Sequence, residues 1–161
     1  FYGFYAAFEP RLHAIPSPDP ARLDLWGRRK TELLAANLRA VGWDPGSLPR
    51  CACLPSPSDW CELLGSAYVL EGATLGGRLI QRHLRAHLGP DWGEGSRFFS
   101  PYGEETGAAW RQFCSVMEDQ NWDVAGLNQA AAAARATFST LGQWLKEWGG
   151  HDGYGIRPEQ L

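Results

Sequence analysis

Several features are scarce, and each scarcity removes a class of function. Charge of one sign is missing: 15 Lys and Arg stand against 18 Asp and Glu, a formal net charge of −3. The two signs are interspersed, so nucleic acid and anionic membrane surfaces have no electrostatic footprint here. No apolar run approaches the ~18 residues of a membrane span, because Arg, Glu or Gly interrupts each one. Four cysteines, Cys51, Cys53, Cys61 and Cys114, make no disulfide framework in 161 residues. Cys51-Ala52-Cys53 has no second pair after it, so free thiols in a loop are expected rather than a zinc knuckle. A soluble protein of the reducing cytoplasm is the resulting expectation. Segments of alternating β-branched residues are lacking too, which argues against a sheet. Glu62 and Glu71 have no His three residues on, which argues against a di-iron bundle.

What is present suits a helical globule. With 44% hydrophobic and 12% aromatic residues, the chain has ample material for one core, and we read residues 1–150 as a single all-α domain with a tail at 151–161. Phe1, Tyr2, Phe4, Tyr5 and Phe8 repeat at helical spacing with no cap ahead of them. The first helix is therefore expected from Phe1 to about Ala14, with the chain starting inside it as the remainder of a longer product. Ile15-Pro16-Ser17-Pro18-Asp19-Pro20 stops it.

A second helix is expected from Asp19 or Pro20 to Gly42, followed by a Pro-rich connector from Pro45 to Pro57. Ser58, with Asp59 and Glu62 just inside, reads as the cap of a long third helix reaching His87 or Leu88 before Gly89-Pro90. After a Gly-rich loop with Phe98 and Phe99, a fourth helix is expected near Glu104 to Glu118. The fifth is capped by Asp123, carries the small-residue run Ala130 to Ala134 and stops at Gly149-Gly150.

The third helix holds the most informative segment, Gly65-Ser66-Ala67-Tyr68-Val69-Leu70-Glu71-Gly72-Ala73-Thr74-Leu75-Gly76-Gly77-Arg78. Each interior glycine costs about 0.5–1 kcal/mol against alanine, so some contact must offset the loss. Steps of three and four place Gly65, Tyr68, Gly72 and Gly76 on one stripe where the backbone itself is open. Two readings fit that spacing: close packing of a second helix, or a surface for a flat ligand.

The stretch from Tyr68 to Arg78 resembles the distal helix of bacterial heme oxygenases, including those paired with bacteriophytochromes. The similarity continues in order. Phe1 to Leu12 is similar to the family's aromatic second helix and Arg28-Arg29-Lys30-Thr31-Glu32-Leu33 to its next one. Phe98-Phe99 matches its loop phenylalanines, and Trp110-Arg111-Gln112-Phe113 and Ala136-Thr137-Phe138 complete the series to about Trp148.

The resemblance implies a heme oxygenase-like bundle in which heme is both cofactor and substrate. It is converted to biliverdin, iron and carbon monoxide with O2 and electrons from a ferredoxin or reductase, and a bacteriophytochrome is a possible acceptor. Gly72, Ala73 and Gly76 would occupy the catalytic distal positions. Tyr68, Phe98 and Phe138 would line the heme, and Arg111 would pair with a propionate. Ala73 stands where many members have an aspartate that orders water, and bacterial relatives often have Ser or Asn there. The proximal histidine belongs to a helix upstream of Phe1. Among the histidines present, His83 and His87 are spaced i, i+4, which suits either a metal pair or favourable contact with a helix C-terminus. A heme carrier or catalytically silent homologue is the rival reading.

Overall fold

The computed structural model describes residues 1–88 and 90–149. Five α-helices run α1 (Tyr2–His13), α2 (Thr31–Ala40), α3 (Trp60–Leu88), α4 (Thr106–Glu118) and α5 (Val124–Gly149), and no strand occurs among the described residues. The all-α expectation holds. The expected glycine cap at Gly89 and the tail at 151–161 lie outside the described residues. No helix among the described residues is long and apolar enough to cross a membrane.

α1 follows its aromatic spacing: Phe4, Tyr5, Phe8 and Leu12 all turn into the core, and the helix ends before Ile15-Pro16. The second helix is shorter than its sequence suggested. It starts at Thr31 instead of Asp19, because residues 19–30 are used for separate turns and a tertiary cap fixes the start. The Glu9 carboxylate, reaching over from α1, accepts from Lys30 N at 2.7 Å, Thr31 N at 3.1 Å and Thr31 Oγ1 at 2.6 Å. A carboxylate there satisfies otherwise orphaned donors and meets the positive end of the helix dipole. The C-terminus obeys local signals: Gly42 has φ +82°, and Trp43 N donates to Leu38 O and Gly42 N to Arg39 O, the αL-glycine closure expected of a helix end.

At the start of α3 the capping side chain is Asp59, not Ser58. Asp59 Oδ1 accepts from Glu62 N at 2.9 Å, and the Glu62 carboxylate reaches back to Ser58 N and Oγ, a reciprocal arrangement close to a capping box. The segment expected to be a Gly-rich loop winds as a 3-10 helix over Pro90–Phe99, and α4 begins two residues late behind a 3-10 turn at Gly103–Glu105. Asp123 caps α5 as expected, accepting from Gly126 N.

α3 is the central element and packs most extensively on α5. Cys61 lies against Gly126, Gly65 against Ala130 and Ser66 against Thr137, so the two helices run side by side in the same direction. A Cβ on Gly65 would sit 2.0 Å from Ala130 O. Glycine facing the alanine run is thus what permits the helices to touch backbone to backbone.

Candidate functional site

The glycines of α3 divide by role once their neighbours are known. Gly65 is a packing glycine against α5. Gly77 is another, since a Cβ there would lie 2.2 Å from Phe99 O. Gly76 is different: it is exposed, with no atom within 4 Å of a would-be Cβ. Gly72 is intermediate, its would-be Cβ meeting the Trp110 ring at an ordinary 3.6 Å. The packing reading of the glycine spacing therefore holds for Gly65, while Gly76 on the same stripe is left open.

Around Gly76 the outward face of α3 is apolar but not covered: Tyr68 is 47% and Leu79 68% exposed, and Leu75 and Ile80 are exposed as well. α4 supplies the wall at one end. Tyr68 and Trp110 rings lie 5.4 Å apart, Trp110 stacks on Phe113 at 6.0 Å, and Phe113 is fully buried and so anchors the pair. Arg111 follows Trp110 into solvent and makes no ion pair with a described residue. An exposed aromatic and backbone surface of this kind suits a flat apolar body.

The expected site residues do not all converge there. Tyr68, Gly72 and Gly76 share the face, and Arg111 is exposed on α4, one position after Trp110. Ala73 is exposed at one flank and lines a separate cavity of about 130 Å³ with Lys30, Thr74, Gly77, Phe98 and Phe99. Phe98 is buried, packing against Phe1, Tyr5 and Phe99 with ring centroids 5.2 Å from each, so its main role is in the core. Phe138 is 71% exposed on α5 and has no ring contact among the described residues.

Behind the face lies a buried polar cluster that the sequence reading did not single out. Glu71 turns inward from α3 and accepts from Lys30 Nζ at 2.6 Å, Arg28 Nη1 at 2.5 Å and Tyr102 OH at 2.9 Å. Arg28 extends the cluster to Ala109 O at 3.2 Å and Gln112 Oε1 at 2.9 Å on α4. Burial, then the Glu71 charge, pushes the Tyr102 phenol well above its usual range, so it stays protonated and donates to the carboxylate. The cluster ties the helix that carries the face to α4 and to the start of α2. A signal was available: Ala67, Leu70 and Thr74, on the same side of α3, are also buried, so a carboxylate at 71 must find cations.

Three histidines are described. His13 stacks on Trp26 with ring centroids 4.6 Å apart, away from the α3 face, and its Nδ1 is buried without a partner. His83 and His87 lie on α3 itself. The cysteines are unpaired, and burial pushes the Cys51, Cys61 and Cys114 thiols up, away from thiolate ligation. No group of three or more metal-ligating side chains occurs among the described residues.

The chain matches the family model described as heme oxygenase over residues 47–147. It is 34% identical over 113 residues to a protein named heme oxygenase from Xanthomonas campestris pv. campestris (strain 8004), an alignment covering 70% of this chain and 64% of that relative. The chain thus spans about 64% of the length of the curated relative it matches. No solved structure matches.

Proposed function

Given that the chain belongs to the heme oxygenase family, we propose that its face at Gly72 and Gly76 receives heme as substrate for oxidative cleavage to biliverdin, iron and carbon monoxide. The observation that carries the reading is Gly76: an exposed helix backbone with nothing within 4 Å of its missing side chain, set in the uncovered apolar surface of Tyr68, Leu75 and Leu79. A porphyrin gains more from such a surface than from one studded with side chains, because its plane approaches the helix directly.

Heme supplies both the carbon attacked and the iron at which oxygen is reduced. The chain's own residues hold and orient it. Tyr68, braced by Trp110, and Gly72 would support one edge, Arg111 would offer a forked donor to a propionate, and Gly76 would leave room between the porphyrin and the helix. Phe138 is exposed and would be covered by the porphyrin edge or by a neighbouring segment, while Phe98 supports the site from behind. Ala73 carries no ionisable group, so proton delivery at this flank would rely on water held by backbone groups or other side chains.

With heme on this face, His83 and His87 would belong to the helix that supports it and His13 lies against Trp26, so on this reading none of the three would bind iron from the opposite side. On this reading the proximal imidazole would come from a residue outside the described ones. Electrons are expected from a ferredoxin or reductase in the cytoplasm, with a bacteriophytochrome as one acceptor of the bilin. The similarity of Tyr68 to Arg78 to the distal helix of phytochrome-paired members supports this part.

A second reading, a heme carrier or silent homologue, is favoured by Ala73 at the family's proton-relay position. The two separate in one experiment on the full-length protein: titration with hemin, then ascorbate or a reductase in air. A Soret band that decays into bilin absorption supports the oxygenase, whereas a Soret band that persists supports the carrier. Failure to form a Soret band at all would sink both.

A further inference from the structure

We propose that His83 and His87 form a two-imidazole site for a divalent first-row transition-metal ion, Cu2+ foremost, on the exposed C-terminal half of α3. The site rests on the geometry of that helix alone and lies on the same stripe as Gly76, about two to three turns further on. The two residues are one helical turn apart, both side chains are exposed, and their rings lie side by side with centroids 4.0 Å apart and planes 32° apart. Two metal–nitrogen bonds of about 2.0 Å at a right angle bring their nitrogens to about 2.8 Å. Rings already adjacent at 4.0 Å reach that separation by side-chain rotation alone.

One ring is also held in the orientation and tautomer that suit a metal. His87 Nδ1 lies 2.8 Å from the His83 carbonyl oxygen. A carbonyl only accepts, so Nδ1 carries the proton, which leaves Nε2 as the nitrogen that can bind a metal. A backbone carbonyl bonded to the far nitrogen is the usual way in which a ligating imidazole is oriented and made more basic. His83's ring nitrogens bond to no described residue.

Electrostatics permit a cation there. Arg78, Arg82 and Arg85 lie on the same helix, but at about 100° per residue they project roughly 100° or more around the axis from the two imidazoles. The negative end of the α3 dipole lies at this terminus and offsets part of their repulsion. With no further ligating side chain grouped here among the described residues, water completes the coordination. That favours Cu2+, which binds most tightly in the divalent series and accepts a tetragonal set with two cis nitrogens.

The test is a Cu2+ titration of heme-free protein with its thiols alkylated, followed by imidazole NMR and electron paramagnetic resonance. One equivalent should saturate the site, with the His83 and His87 ring signals broadening first and nitrogen hyperfine coupling in the copper spectrum. H83A and H87A should each weaken binding at least tenfold, and H13A should leave it unchanged. A copper-induced rise in Tm should disappear in both site variants, since a metal bridging two turns binds only the folded helix. Copper binding of equal strength in the site variants, or broadening that begins at His13, overturns the proposal. Both residues are exposed, so circular dichroism of the variants should match the parent, which separates loss of a ligand from loss of the fold.

Discussion

The Glu71 carboxylate and the Lys30 ammonium meet at 2.6 Å with side chains only 4% and 3% exposed, and Arg28 reaches the other oxygen of the same carboxylate. One anion thus stands between two cations in a site closed to water. Its value to the fold is mainly orientation. Glu71 immediately precedes Gly72, so the contact that turns Glu71 inward fixes the angle at which Gly72 and Gly76 face out.

Removing one partner leaves an uncompensated buried charge. E71A is expected to lower unfolding free energy by about 3–5 kcal/mol, read from urea denaturation. K30M should also destabilise, and the K30M/E71Q double variant should lose less than the sum of its single changes. Strictly additive losses would show that the pair is not coupled.

The glycines of α3 should respond in opposite directions. G65A places a methyl 2.0 Å from Ala130 O, and forcing two helix backbones apart is expected to cost about 1–3 kcal/mol or more; G77A should behave similarly against Phe99. G76A meets nothing, so the gain in helix propensity should raise stability by up to about 1 kcal/mol. Hemin binding or product distribution should nonetheless change in G76A. A fall in Tm for G76A as large as that for G65A would contradict the division into packing and open glycines.

Arg111 should matter for ligand binding and not for folding. R111A is expected to weaken hemin binding by about tenfold, the low end of a charge-assisted contact because the side chain is exposed. R111K should recover only part of the loss, since it cannot offer two parallel donors. Hemin titrations of the three proteins, with Tm as the control, decide it.

His13 gives the fold one acid-sensitive point. Burial, with Arg29 assisting and Glu9 and Asp24 opposing, holds its imidazole below the ordinary value. The folded chain therefore takes up this proton less readily than the unfolded chain. The stability it contributes is fully present above about pH 6.5 and is lost as pH falls through the folded value. Urea midpoints measured from about pH 8 down to about pH 5 should fall more steeply in the parent than in H13Q. Parallel slopes would assign the acid sensitivity elsewhere.

The sequence by itself determined the helical class, most helix ends and the unusual glycine content of α3. These follow from contacts within a few residues: Pro16, Pro18 and Pro20 keep α1 from continuing past His13, Gly42 adopts φ +82° because it has no side chain, and Asp123 caps the turn that follows it. The stretch from Tyr68 to Arg78, which carries the resemblance, lies within residues 47–147 matched by the heme oxygenase family model.

Only the tertiary structure decided where α2 starts, because its cap is Glu9, 22 residues before Thr31, and no local pattern encodes a partner at that distance. It also decided which glycines pack and which lie open, since Gly65 and Gly76 share one stripe and differ only in what comes to meet them. The same holds for Phe98, drawn into the core by Phe1 and Tyr5. It holds as well for the Glu71 cluster, whose cations come from a segment about 40 residues away in sequence. A helix signals its own spacing and caps, but the neighbour against which each face is pressed is chosen by the packing of the whole chain.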